Sequence, residues 1–148
     1  NARYVHTNIV ADDWKRLVQF YKEVFGCEPM PPQRHHSGQW LADVTGIPGA
    51  DLEGIHLRLP GFDDNGPTLE IFQYQQAEDR LQPATNRPGF AHIAFAVDDV
   101  EAAREAVLAA GGGALGELVT VDVAGAGRIT LVYMKDPEGN IIELQRWA

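Results

Sequence analysis

Cysteine occurs once in the 148 residues, at Cys27. One thiol excludes a disulfide framework and a thiolate metal cluster. It also fits a reducing compartment, so a cytoplasmic location is expected. No run approaches the roughly 20 apolar residues of a membrane span, and no signal-peptide pattern opens the chain. The chain begins Asn1-Ala2 rather than with Met; this pair reads as the remnant of a cleaved tag and is left out of the fold argument. Basic residues are scarce, 12 Lys and Arg against 21 Asp and Glu, for a formal net charge of -9. That balance argues against nucleic acid and against an anionic membrane as partners. An anionic small substrate stays admissible, because a bound divalent cation reverses the local potential. The glycines at 111–113 fit neither the dinucleotide nor the phosphate-loop pattern. Small molecules are the expected partners.

What is present is ordinary globular composition, 45% hydrophobic and 22% charged, in a chain long enough for one compact domain or two half-size modules. Tyr4–Val10 opens as a β-rich run. Asp12 and Asp13 offer N-caps to WKRLVQFYKEVFG, in which Trp14, Leu17, Val18, Tyr21, Val24 and Phe25 recur at helical spacing and Gly26 stands at the C-cap position. The Pro-rich EPMPPQ reads as a loop, followed by strand candidates at Gly38–Val44, Gly54–Leu59 and Thr68–Tyr74. Gln75–Gly89 is polar, carries two prolines and has no period, which marks a linker. The order then repeats. Phe90–Val97 alternates like a strand, Asp98-Asp99 cap VEAAREAVLAAG, and strands are expected at Leu115–Val121, Arg128–Met134 and Ile141–Trp147, the last pair joined by KDPEGN.

Each half therefore reads β-α-β-β-β, with module one at 3–74, the linker at 75–89 and module two at 90–148 of a single domain spanning 3–148. His6 and His92 stand in the first strand of each half, Glu70 and Glu143 in a later one. The interval from His to Glu is longer in the first half, which places extra loop between Cys27 and Glu53.

Strand alternation sorts these residues by face. Ala91, Ile93, Phe95 and Val97 form one apolar face, and His92 lies opposite with Ala94 and Ala96, small neighbours that leave room for a metal and a substrate. Glu70, Phe72 and Tyr74 oppose Leu69 and Ile71; Glu143 and Gln145 oppose Ile142 and Leu144; Tyr4, His6 and Asn8 oppose Val5, Thr7 and Ile9. A carboxylate flanked by Leu and Ile is expensive to bury without compensation. Two carboxylates with two neutral imidazoles would balance a divalent ion, and such a mixed N/O set suits Zn, Ni, Co, Mn or Fe(II). A single strand His or Glu is ordinarily structural or solvent-facing; it is the matching of pairs within a repeat that points to ligands.

The chain resembles the vicinal oxygen chelate superfamily of glyoxalases, methylmalonyl-CoA epimerases, extradiol dioxygenases and bleomycin or fosfomycin resistance proteins. The resemblance rests on GFAHIAFAVDDVEAAREAVLAAGG and DPEGNIIEL, and more loosely on YVHTNIVADDWKRLVQFYKEVFG and LRLPGFDDNGPTLEIF. It implies an α+β fold of two tandem βαβββ modules forming a cupped mixed sheet around a metal site, with ligands at His6, Glu70, His92 and Glu143. It further implies a homodimer, with the modules paired either within one chain or across two.

A complete His/Glu/His/Glu set is more similar to glyoxalases or epimerases than to extradiol dioxygenases, which use two His and one Glu. Glu rather than Gln at position 70 tilts the resemblance toward glyoxalase. The expected activity is that of a metal-dependent lyase or isomerase moving a proton next to a carbonyl, with Glu143 or Glu70 as the base. An extradiol-type dioxygenase and an antibiotic-binding resistance protein without catalysis are the alternatives. His56 and Arg58 share a strand face that could hold a substrate anion, against an equally good reading as a solvated face. Phe72, Tyr74 and Trp147 are candidates to wall the pocket, although ordinary packing accounts for them too. His35 and His36 are expected in an exposed loop, and Cys27 as a small buried hydrophobe.

Overall fold

The computed structural model describes residues 1–148, and the chain divides into two compact units, Asn1–Arg80 and Leu81–Ala148. The fold is mixed α+β, with one mixed sheet and few helices in each unit.

In the first unit β1 (His6–Val10) runs into α1 (Trp14–Phe25), then β2 (Glu28–Ser37), α2 (Gln39–Thr45), β3 (Asp51–Arg58) and β4 (Thr68–Tyr74). The sheet order is β1-β4-β3-β2, with β1 and β4 parallel and the remaining pairs antiparallel. Asp13 caps α1, its side chain accepting the Arg16 amide, and Gly26 ends the helix in the left-handed conformation at φ 72°. Trp14, Leu17, Phe20 and Tyr21 are the buried face of α1. They cover the side of the sheet that carries Leu57, Leu69 and Ile71, and the Gln73 side chain ties down the Trp14 amide at 3.0 Å. Burying these aliphatic and aromatic groups, at roughly 1.5–3 kcal/mol for each large side chain, is what holds helix to sheet. The opposite side, with His6, Asn8, His56 and Glu70, is left for chemistry.

Two expectations are corrected here. EPMPPQ is not a loop but the first part of β2, and it tolerates three prolines because β2 is the outer strand of the sheet. Its pairing to β3 breaks register between Met30 and Arg34, where the prolines have no amide to donate. His35 and His36 consequently lie on a strand. Gly38–Val44 is not a strand: Gly38 turns the chain at φ 95° and α2 follows, stopped by left-handed Gly46. The alternation of QWLADV misled because only Leu41 is buried, one contact point on a short helix. The extra length expected between Cys27 and Glu53 thus includes a helix. Leu41 joins Ala50 and Leu52 in a small cluster against Phe72 and Tyr74, on the side of the sheet opposite α1.

In the second unit β5 (His92–Ala96) leads to α3 (Val100–Ala109), β6 (Gly113–Ala114), β7 (Val119–Val123), β8 (Gly127–Lys135) and β9 (Ile141–Trp147). The order is β5-β9-β8-β6, with β7 also paired to β8, and again the β5–β9 pair is parallel. Asp99 caps α3 by accepting the Ala102 amide. Val100 and Val107 bury the helix over β8 and β9, whose inward residues include Val132, Met134, Ile142 and Leu144. Of the strand expected at Leu115–Val121 only Val119–Val121 is strand, the start of the edge strand β7; residues 115–118 are irregular, with the Gly116 amide bonded to the Tyr133 carbonyl, and the short β6 precedes them. Between β4 and β5 there is no helix or strand. No helix is long and apolar enough to cross a membrane.

Candidate metal centre

Each unit brings a histidine from its first strand to a glutamate on the neighbouring parallel strand. In the first, His6 Nε2 lies 3.5 Å from Glu70 Oε1. In the second, His92 Nε2 lies 3.2 Å from Glu143 Oε1. Parallel pairing of β1 with β4 and of β5 with β9 puts the two side chains of each pair on one face, so the match between the halves is topological. Both carboxylates are largely withdrawn from water, at 9% exposure for Glu70 and 7% for Glu143. Their ion-pair partners are histidines, whose charge is conditional. A buried carboxylate facing imidazole nitrogens is a mixed N/O donor set of the kind a divalent metal takes.

The first unit carries a third donor. His56 on β3 is directly opposite Glu70 in the register, and its Nε2 is 2.6 Å from Glu70 Oε2. The donor atoms of His6, His56 and Glu70 all lie within 4.8 Å of one another. Around them, Asn8 donates to Glu70 Oε1 at 2.9 Å, and the Thr68 hydroxyl stands 2.9 Å from His56 Nδ1. Burial holds the His56 imidazole below its ordinary range near 6.5; Glu70 opposes this by its charge, while Arg34 and His6 add to it. A neutral imidazole is the form that can donate a lone pair to a metal.

His56, placed by sequence among substrate-holding residues, therefore sits among the ligand candidates. The signal was the hairpin register, which the long loop between β3 and β4 left open. Arg58, its neighbour on the same face, makes long ion pairs with Glu28 at 3.9 Å and Asp64 at 3.8 Å, and its buried Nε has no hydrogen-bond partner. Phe72 and Tyr74 lie on the ligand face but also pack against Leu41, Ala50 and Leu52. The rings of His6, His56, Phe72, His36 and Trp40 follow one another in edge contacts, so this surface includes His36, which the sequence placed in an exposed loop, and Trp40, which the sequence analysis did not single out.

In the second unit Gln145 donates to Glu143 Oε2 at 2.6 Å, and the Trp147 indole donates to Gln145 at 2.9 Å, which places Trp147 one step from the carboxylate. Tyr133 is a residue the sequence analysis missed. It pairs with Glu143 across β8 and β9, and its ring lies 4.8 Å from that of His92. The tight turn around Asp136 fixes that register, so counting back from the turn would have found it.

The family model described as the glyoxalase/bleomycin resistance protein/dioxygenase superfamily matches residues 3–144. A probable lactoylglutathione lyase of Vibrio parahaemolyticus is 28% identical over 145 residues, covering 97% of this chain and 90% of that protein. The lactoylglutathione lyase of Haemophilus influenzae is 26% identical over 140 residues, covering 94% and 88%. Among solved structures, a glyoxalase family protein from Bacillus cereus superposes with a TM-score of 0.77 at 19% identity, covering 99% of this chain and 93% of that one. With a family match across nearly its whole length and a matched His/Glu pair in each half, the chain belongs to the glyoxalase/bleomycin resistance protein/dioxygenase superfamily.

Proposed function

We propose that the protein is a metal-dependent, glyoxalase-type lyase or isomerase that moves a proton next to a carbonyl of a small substrate. The observation that carries this reading is the pair of buried glutamates, each set against a histidine in equivalent strands of the two halves. His6, Glu70, His92 and Glu143 are the proposed ligands of one divalent ion, Zn, Ni, Co, Mn or Fe. When bound, that ion would supply Lewis-acid polarisation of the substrate carbonyl.

The chain's own residues divide the remaining work. Glu70 is held by Asn8 on β1, His56 on β3 and His6 on β1, so it serves as the fixed carboxylate. Glu143 is held by Gln145 of its own strand and by His92, and it is the carboxylate assigned to carry the proton. General-base action of this kind contributes roughly 10²–10⁴-fold. Arg58, which meets Glu28 and Asp64 only in long ion pairs of 3.9 and 3.8 Å, is the proposed anchor for a substrate anion, and Phe72, Tyr74 and Trp147 are the proposed walls. A homodimer in the cytoplasm is part of the same reading, supported by family membership and by a single, buried cysteine. The two His/Glu pairs then combine either within one chain or between two.

The lactoylglutathione lyases among the relatives supply the first substrate to try. Metal-loaded protein is expected to form S-lactoylglutathione from methylglyoxal and glutathione, or to turn over another thiol adduct of a 2-oxoaldehyde. One metal per chain in the wild type, with turnover that Glu143→Gln abolishes, supports the reading; full turnover in metal-free protein refutes it. One observation favours a second reading. Two His and one Glu gathered in the first half also suit Fe(II), so oxygen uptake with a catechol in iron-loaded protein would point to a dioxygenase.

A further inference from the structure

We propose that His56 is itself a metal ligand, so that His6, His56 and Glu70 make a three-donor site contained wholly in the N-terminal unit. The proposal rests on the metal-dependent reading above. The three residues come from adjacent strands, β1, β3 and β4, and face the same side of the sheet. Their donor atoms are mutually within 4.8 Å, whereas donors about 2.0–2.2 Å from a shared ion stand roughly 3–3.5 Å apart, so small side-chain adjustments suffice.

The surroundings are those of a prepared ligand set. Metal-bound histidines usually donate their other ring N–H to an oxygen, which fixes the tautomer and turns the free nitrogen toward the ion. Thr68 Oγ1, 2.9 Å from His56 Nδ1, is placed to accept that N–H and leave Nε2 for the metal. Asn8 steadies Glu70 in the same way, donating to Oε1 at 2.9 Å. The His56 side chain is 18% exposed and that of Glu70 12%, so both are shielded, while His6 at 38% leaves the site open on one side. Two neutral imidazoles and one carboxylate leave a divalent ion with positive charge and vacant positions for further ligands.

One consequence separates this site from one that needs both halves: the N-terminal unit retains metal when the C-terminal pair is removed. The test uses the full chain and Zn(II) alone, read by metal stoichiometry, titration calorimetry and X-ray absorption at the zinc edge. In the His92→Ala/Glu143→Gln double variant, one Zn(II) per chain with two imidazoles in its shell is the expected result. In His56→Gln, otherwise wild type, the imidazole count should fall by one and affinity by more than the roughly 10–100-fold typical of losing an outer hydrogen-bond partner. Circular dichroism of each variant checks that it is folded, and the His56→Gln comparison serves should the double variant fail that check. An unchanged imidazole count in His56→Gln overturns the proposal and leaves His56 as a residue that only orients Glu70. A folded double variant that takes up no zinc also overturns it, while wild-type binding would leave the metal-dependent reading standing. Wild-type protein that binds no zinc and no other divalent metal overturns both.

Discussion

Replacing Glu143 by Gln keeps the shape of the side chain and removes its ability to take a proton. Turnover should fall by about 10²–10⁴-fold with the melting temperature little changed, as steady-state rates and a thermal melt would show. Glu70→Gln should act chiefly on metal affinity, because Glu70 is fixed from two neighbouring strands. Equal losses of affinity in the two variants would contradict that division. Cys27 gives a second residue-scale prediction. It is fully buried, and burial pushes its thiol up to about 12. Since the thiolate is the nucleophile, a thiol reagent at pH 8 should label Cys27 only as the protein unfolds. Rapid labelling of native protein would show that the site opens. His56 gives a third. Burial lowers its native value below the 6.5 of the unfolded chain, so the unfolded chain binds the proton more readily. In metal-free protein the stability should hold above pH 6.5 and decline as pH falls toward the lowered native value. Urea midpoints at a series of pH values would show this, with a shallower decline in His56→Gln.

Among the elements, β3 is the most constrained. Gly54 sits opposite Phe72, and a Cβ there would run into the Ile71 carbonyl and the Phe72 backbone. Backbone cannot yield as a flexible side chain can, so Gly54→Ala should destabilise by about 1–3 kcal/mol in urea unfolding and displace the strand that carries His56. The helices were legible for local reasons. Asp13 and Asp99 cap α1 and α3, and Gly26 ends α1. Those are interactions between residues close in sequence, which a pattern of caps and apolar spacing records. What misled were β2 and α2. The prolines of β2 argue against a strand anywhere but on an edge, and edge position is a property of the sheet, not of the segment. The helix α2 buries only Leu41, too little to leave a period.

For the molecule as a whole, binding to the native state and not to the unfolded chain must raise stability by mass action. Zn(II) at a hundred times its dissociation constant should add about 2.7 kcal/mol, and a chelator should take it away, both visible as shifts in the melting temperature. A melting temperature indifferent to metal and chelator would leave the proposed ligands, His56 among them, without that role. The net charge of -9 belongs to this scale as well: a bound divalent metal would soften the negative potential around the carboxylates that hold it.

By itself the sequence determined the repeat, the two capped helices, and which face of each strand His6, Glu70, His92 and Glu143 occupy. Those features follow from short-range rules, capping and the two-residue alternation of strands, that every local segment obeys. The tertiary structure decided which residues lie beside them. Opposite Glu70 it set His56, and opposite Glu143 it set Tyr133. It also turned the chain after Gly38 into a helix that places Trp40 against His36. Strand register, edge position and the packing of a short helix are settled by partners distant in sequence, and the energy that selects them appears only when the sheet closes over its core.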